Sequence, residues 1–256
     1  MKQALPSLQE IVEGQIILID KPIKWTSFDA INKLKWLIHT KIGHAGTLDP
    51  LATGLLVCCT GKMTKQIQFL QKVDKEYIAS IQLGAITASY DLESPLEEQQ
   101  SFSHLTKMEI EDCIASFLGT QEQTPPIHSA IKKDGVRAYK LARAGEHIEL
   151  KSRTVVFHAL DILDLNLEKG TIELRIHCST GTYIRSLAHD IGQKLKVGAH
   201  LSGLIRTKVG DYDLKDATSV EEWVKYLEEE NEKFPEIKEE RKAHRKRSRR
   251  GIRWKN

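Results

Sequence analysis

No two cysteines in this chain have the CxxC spacing of a metal knuckle or a redox pair. There are four in all, Cys58, Cys59, Cys113 and Cys178. Cys58 and Cys59 sit in the apolar run "LLVCCTG", which suits strand core better than a disulfide or a metal site. A reducing, cytoplasmic setting is therefore expected. No apolar run approaches the roughly 20 residues a membrane span needs. The start, "MKQALPSLQE", has no apolar segment of the secretory kind. No GxGxxG follows a strand-like run, and no Walker loop, HExxH or GxSxG occurs. The sequence thus carries no signature for a dinucleotide, a P-loop phosphate, a catalytic zinc or a nucleophile elbow, and no internal repeat.

What is present is a soluble-type composition of 40% hydrophobic and 29% charged residues over 256 positions. That is enough for one large domain or two small ones. The net charge of +3 conceals an uneven distribution. Lys238–Asn256 carries ten Lys/Arg against two Glu, whereas Glu221–Ile237 carries seven Glu against two Lys. Residues 1–220 are then close to neutral. A basic tail of this kind suits a nucleic-acid phosphate backbone or, equally, a disordered solubilising segment.

Hydrophobic periodicity places the elements. "GQIILIDKP" reads as a strand ending in a proline turn. "TSFDAINKLKWLI" reads as a helix with Thr26 or Ser27 as N-cap and Phe28, Ile31 and Leu34 at helical spacing. "LLVCCTG" and "KEYIASIQLG" read as strands, "KMTKQIQFLQ" as a short helix and "ITASYDLESP" as a loop. "TKMEIEDCIASFLG" reads as an amphipathic helix closed by Gly119. "TVVFHALDILDLNL", "TIELRIHCS" and "AHLSGLIRTKVGDY" read as strands, and "GTYIRSLAHDIGQKL" and "SVEEWVKYLEEENEK" as helices. Without regular βαβ spacing, the expected class is α+β, with a mixed, mostly antiparallel central sheet flanked by helices. Between Thr120 and Leu150, Pro125–Pro126 lead into Lys132, Lys133, Arg137, Lys140 and Arg143 around Tyr139. That pattern suits phosphates and a base face, or a solvated helix-turn segment.

The stretch "GHAGTLDPLATG", Gly43–Gly54, sets one carboxylate, Asp49, and one imidazole, His44, among three glycines and Pro50. Glycine admits unusual backbone angles and close approach. On residue chemistry alone Asp49 is an acid in an Asp-Pro turn. Taken singly, Tyr77 and Leu204 are core residues and His44 is a turn histidine.

Five segments together resemble one family. "GHAGTLDPLATGLL" is similar to the signature of the bacterial tRNA pseudouridine-55 synthases, the TruB family, and "DKPIKWTSFDAI" to its upstream motif. "TPPIHSAIKKDGVRAYKLARAG" resembles its proline-led insert, which implies an element gripping RNA at about residues 121–151. "CSTGTYIRSLAHDIG" and "GAHLSGLIRTKVG" resemble two later motifs, in family order. The resemblance implies that Asp49 meets a uridine of tRNA. The N1–C1′ bond breaks, the uracil turns, and C5 rejoins C1′. Asp49 would act as base on the ribose or as nucleophile towards C1′ or C6. Arg185 is the cation expected to keep it ionised. The base must leave its stack. Tyr77 matches a tyrosine stacking on it, Tyr183 and Leu204 match pocket residues, and His44 matches a contact to displaced loop nucleotides. No cofactor, metal, membrane or protein partner is implied, and a monomer is expected.

Three departures from the family pattern stand out. Lys24 replaces a usual glycine, a small change in a turn. "TASYD" keeps Thr87 and Asp91 of a TDTxD pattern but has Ala88 and Ser89, so any polar contact of the first Asp is lost. The residues after Gly210 are too few for the RNA-binding PUA domain of many members. The expected organisation is a catalytic domain over residues 1–220, an acidic helical segment over 221–237 and a basic tail over 238–256. A tRNA-folding chaperone using the same surface, with or without catalysis, is the alternative. An acid-base hydrolase pairing Asp49 with Asp91 and a guide-RNA-dependent relative are weaker ones.

Overall fold

A serine or threonine followed three residues later by an acid opens four helices: Ser7 with Glu10, Thr26 with Asp29, Thr106 with Glu109, and Ser219 with Glu222. In each, the hydroxyl accepts from the acid's backbone N–H and the carboxylate accepts from the cap's N–H. Two donors orphaned by the helix start are thereby satisfied. The computed structural model describes residues 5–127, 132–133, 136–137 and 150–237. The chain divides into two units, one of Met1–Lys72 with Lys208–Asn256 and the other of Val73–Thr207.

The first unit begins with α1 (Leu8–Gly14), β1 (Ile16–Lys21), α2 (Ser27–Ile38), β2 (Ile42–His44) and β3 (Ala52–Thr60). A 3-10 turn, Gly61–Gln66, leads to α3 (Ile67–Leu70). The second unit holds β4 (Lys75–Leu83), β5 (Ala85–Thr87), β6 (Leu96–Gln99), α4 (Lys107–Ala115), β7 (Gly119–Gln123), β8 (Lys132–Lys133), β9 (Val136–Arg137), β10 (Arg153–Asn166), β11 (Thr171–Cys178) and α5 (Ile184–Leu195). The strand β12 (Ala199–Val209) carries the chain back into the first unit. That unit closes with β13 (Tyr212–Asp213), β14 (Thr218–Ser219) and α6 (Val220–Lys233).

In the first unit β3 lies antiparallel to β1 and β2, while β14 runs parallel to β1. Ile17 and Ile19 of β1, Leu56 and Cys58 of β3, Ala30, Ile31, Leu34 and Ile38 of α2, and Val220, Trp223 and Leu227 of α6 form one buried cluster. The Trp223 Nε1–H donates to Leu18 O at 3.0 Å, so the indole is buried without an unmet donor. The second unit orders its strands β12-β4-β11-β10-β7, with β4, β11, β10 and β7 antiparallel in turn. Alternate residues of β4 are buried, from Lys75 through Tyr77 to Leu83, and α4 and α5 cover that face. The result is the α+β fold with a mixed, mostly antiparallel sheet that the periodicity predicts.

Several local expectations change. Of the two N-caps expected for α2 the structure has Thr26, and Phe28, though at the spacing of Ile31 and Leu34, is 64% exposed, the buried stripe being Ser27, Ala30, Ile31, Leu34 and Ile38. The helix α4 ends at Ala115, and Gly119 opens β7 with φ +85° instead of closing the helix. Part of the expected loop at "ITASYDLESP" is β5, paired with β6. All four cysteines are buried and none is bridged. Among the described residues no helix is long and apolar enough to cross a membrane. The basic tail and most of the cationic insert, including Tyr139, Lys140 and Arg143, lie outside the described residues.

Candidate active site

In the first unit, β2 and β3 carry a loop from Ala45 to Leu51. His44 pairs with Cys58 in the ladder, and the Ala45 N–H donates to Val57 O at 2.9 Å. Gly46 takes φ +99° and Gly54 φ +95°, so both glycines serve backbone angles that side chains disfavour. The Ala52 N–H donates to Asp49 O at 3.1 Å, closing a turn with Pro50 in its second position, where its fixed φ belongs. The buried Ser27 hydroxyl accepts from the Leu48 N–H at 2.8 Å and donates to Leu48 O at 3.1 Å. On the other side, the Lys24 N–H donates to Pro50 O at 2.8 Å. The fully buried Lys21 ammonium donates to Pro22 O at 2.9 Å and Trp25 O at 2.5 Å, and reaches Pro50 O at 3.5 Å. Asp49 is thus held by its two backbone neighbours and is itself half-buried. His44 Nε2 lies 3.2 Å from Thr47 Oγ1.

In the second unit, Arg185 occupies the first turn of α5 and is 5% exposed. Its Nε lies 3.6 Å from Asp91 Oδ2, and its Nη1 donates to Ser89 O at 3.1 Å. Asp91 is closed in by its own loop. The Ser89 hydroxyl donates to Asp91 Oδ1 at 2.5 Å, the Glu93 N–H donates to Oδ1 at 3.0 Å, and Thr87 Oγ1 donates to Asp91 O at 2.7 Å. Tyr183 is the N-cap residue of α5. Gln123 clamps its backbone, accepting from the Tyr183 N–H at 2.8 Å and donating to Tyr183 O at 3.0 Å. The Arg153 guanidinium lies over the Tyr183 ring, 4.7 Å from its centroid. Tyr77 belongs to the buried cluster, and Leu204 packs against that cluster. Lys75, on the same face of β4 as Tyr77, donates to Thr180 Oγ1 at 3.1 Å. Burial first, and the Arg206 charge second, bring its ammonium down to about 8.

The predicted residues therefore fall into two groups, His44 and Asp49 on the first unit and Tyr77, Tyr183, Arg185 and Leu204 on the second. Sequence reasoning missed the supports: Ser27 and Lys21 beneath the Asp49 loop, Gln123 and Arg153 around Tyr183, and Asp91 beside Arg185. A polar residue buried for its hydrogen bonds has no spacing signal of its own. Lys24 is no small change, because it takes φ +66°, where glycine is favoured. Ala88 is exposed, whereas Ser89 keeps the hydroxyl that the loop uses. Among the described residues no group of three His, Cys, Asp or Glu is placed to hold a metal ion.

The family model for the TruB family pseudouridylate synthase N-terminal domain matches residues 34–184. That for the tRNA pseudouridylate synthase B C-terminal domain matches residues 185–239. The chain is 49% identical over 225 residues to a tRNA pseudouridine synthase B of Phocaeicola vulgatus, covering 85% of this chain and 95% of that protein. It is 51% identical over 220 residues to one of Flavobacterium johnsoniae, covering 83% and 95%. Among solved structures, a chain of a Cbf5-Nop10-Gar1 complex matches with TM-score 0.67 and 29% identity. That match covers 87% of this chain and spans 56% of the solved one. The motifs, the fold and these matches agree, and the chain belongs to the TruB family of pseudouridylate synthases.

Proposed function

We propose that this pseudouridine synthase acts on tRNA, converting the uridine at position 55 of the T loop to pseudouridine, without a protein partner. The observation that supports this most is the near full-length match to relatives named tRNA pseudouridine synthase B, 95% of each in the two cases above. The Cbf5 chain belongs to a complex with other proteins, but it is barely half spanned by this one.

The reaction is an isomerisation. The N1–C1′ bond breaks, a C5–C1′ bond forms, and the proton on C5 is replaced by one on N1, so atoms and electrons balance without an oxidant. Asp49 is assigned the carboxylate chemistry, as base or as nucleophile. Its loop suits the role because Ser27, Lys24 and Lys21 hold the backbone on either side of it. A carboxylate positioned this way loses little orientational freedom on meeting substrate. Arg185 is assigned the positive charge that favours the ionised acid, with Asp91 and Ser89 setting its position. Tyr77 and Leu204 are assigned the apolar wall against which the extruded uracil lies, with the Tyr77 ring as its stacking platform. Tyr183 is assigned to the same pocket, and His44 to the nucleotides displaced with the base.

Incubating the full chain with an unmodified tRNA transcript, followed by mapping of pseudouridine, tests the proposal. Product at position 55 alone is expected. The Asp49→Asn variant should form none while binding the transcript within about tenfold of wild type, or roughly 1.4 kcal/mol. Turnover by that variant, with deamidation excluded, removes Asp49 from the chemistry. Product at another position removes the assignment of site.

A further inference from the structure

Beside the Asp49 loop, and wholly within the first unit, lies a shallow cleft of about 510 Å³ lined by Lys24, Trp25, Asp29, Asn32, Lys33 and Trp36. Asp29, Asn32, Lys33 and Trp36 recur at i, i+3, i+4 and i+7, so one face of α2 supplies four of the six. Trp25 is half-buried and anchored on the unit's core. Trp36 is 63% exposed at the other end. That exposure leaves indole surface within reach of a ligand in the cleft. The one acid in the cleft is already engaged. Asp29 accepts from the Thr26 N–H at 2.9 Å and the Thr26 hydroxyl at 2.6 Å, and these bonds hold its carboxyl below the usual range. The rest of the lining is two lysines, an amide and two indoles.

We infer that this cleft docks an unpaired nucleotide of the RNA substrate, its base on Trp36 and its phosphates near Lys24 and Lys33. An exposed aromatic flanked by cations is the combination that holds single-stranded RNA, since every base has a π-face and every nucleotide a phosphate. Asn32 adds a donor and an acceptor suited to a base edge. A surface for a protein partner would favour a continuous apolar centre with few charges. The rim is also continuous with the candidate catalytic loop, because the Lys24 N–H is bonded to Pro50 O, one residue past Asp49. RNA engaged at Asp49 therefore has a second foothold on the same unit. The inference rests on the RNA-substrate reading but adds a contact outside the reacting pocket.

The test is equilibrium binding of an unmodified tRNA transcript to the full chain, at several salt concentrations, with pseudouridine formation assayed in parallel. Trp36→Ala should raise Kd roughly 5- to 150-fold, the range for loss of one stacked base, with Trp36→Phe recovering most of it. Lys33→Ala should flatten the slope of log K against log salt by about 1. Turnover at saturating RNA should be unchanged in both. An unaltered Kd for Trp36→Ala alongside normal wild-type turnover overturns the cleft and leaves the reaction standing; the exposed Trp36 indole would then face a protein. Loss of affinity in Trp36→Ala with no product from wild type overturns the reaction and keeps the cleft.

Discussion

Two loops, one in each unit, each carry an aspartate, and the contacts that fix the two backbones differ. The loop around Asp49 is fastened through its backbone: Leu48 to the Ser27 hydroxyl, Pro50 to the Lys24 N–H, with the buried Lys21 ammonium beneath. The loop around Asp91 is fastened through the aspartate itself, whose carboxylate takes a hydroxyl, a backbone N–H and the Arg185 guanidinium. Asp49 is half-buried and Asp91 is 4% exposed. Under the proposed assignment, the loop that presents Asp49 is scaffolded by Ser27, Lys24 and Lys21. The Asp91 carboxylate, beside Arg185, is part of its own loop's scaffold. This also weakens the reading of Asp49 and Asp91 as a hydrolytic carboxylate pair, because Asp91 already serves a buried cation.

The contrast can be broken most forcefully at Asp91. Asp91→Ala leaves the Arg185 charge buried without this partner, and removing one member of a buried pair costs about 3–5 kcal/mol. Thermal unfolding should register a fall of roughly 6–20 °C for a chain of this size. Asp49→Asn, by contrast, should melt within a few degrees of wild type while being inactive. Equal melting shifts in the two variants would erase the distinction.

A smaller effect sharpens the second loop's surroundings. Asp190, on the same helix as Arg185, has its carboxyl pushed up to about 6 by burial. The native state therefore keeps a proton that the unfolded chain releases near pH 4, so this group lowers stability as pH rises from about 4 to 6 and above. Asp190→Asn should be more stable than wild type at pH 7.5, by on the order of 1 kcal/mol after solvent screening, with the gain fading towards pH 4. Denaturant titrations at the two pH values measure it, and a gain that persists at pH 4 would assign the effect to packing instead.

The smallest change concerns the first loop. Lys24→Gly relieves a left-handed residue, worth about 1–2 kcal/mol, against glycine's extra freedom in the unfolded chain, about 0.5–1 kcal/mol. A net gain of roughly 0.5–1 kcal/mol, or about 1–4 °C in melting temperature, is expected. A destabilised Lys24→Gly would mean that the lysine side chain contributes more than its backbone angle costs.

Much of this was legible without coordinates. Period-2 alternation marks β4 because one face of that strand is buried, and the apolar run of β3 is buried almost throughout. Thr26 with Asp29 already contains the helix start. The family motifs pointed to Asp49 and Arg185 because chemistry constrains residue type at a spacing. Local sequence alone decided helix starts, strand alternation and the presence of a turn at Asp-Pro. Tertiary structure decided what lies between 21 and 96 residues away: Ser27 against Leu48, Ser89 and Asp91 against Arg185, and Gln123 against Tyr183. It also decided that Lys24 is left-handed and Phe28 exposed. A backbone preference acts between near neighbours and leaves a pattern in the chain. A buried polar contact is made by residues that only folding brings together, and it leaves none.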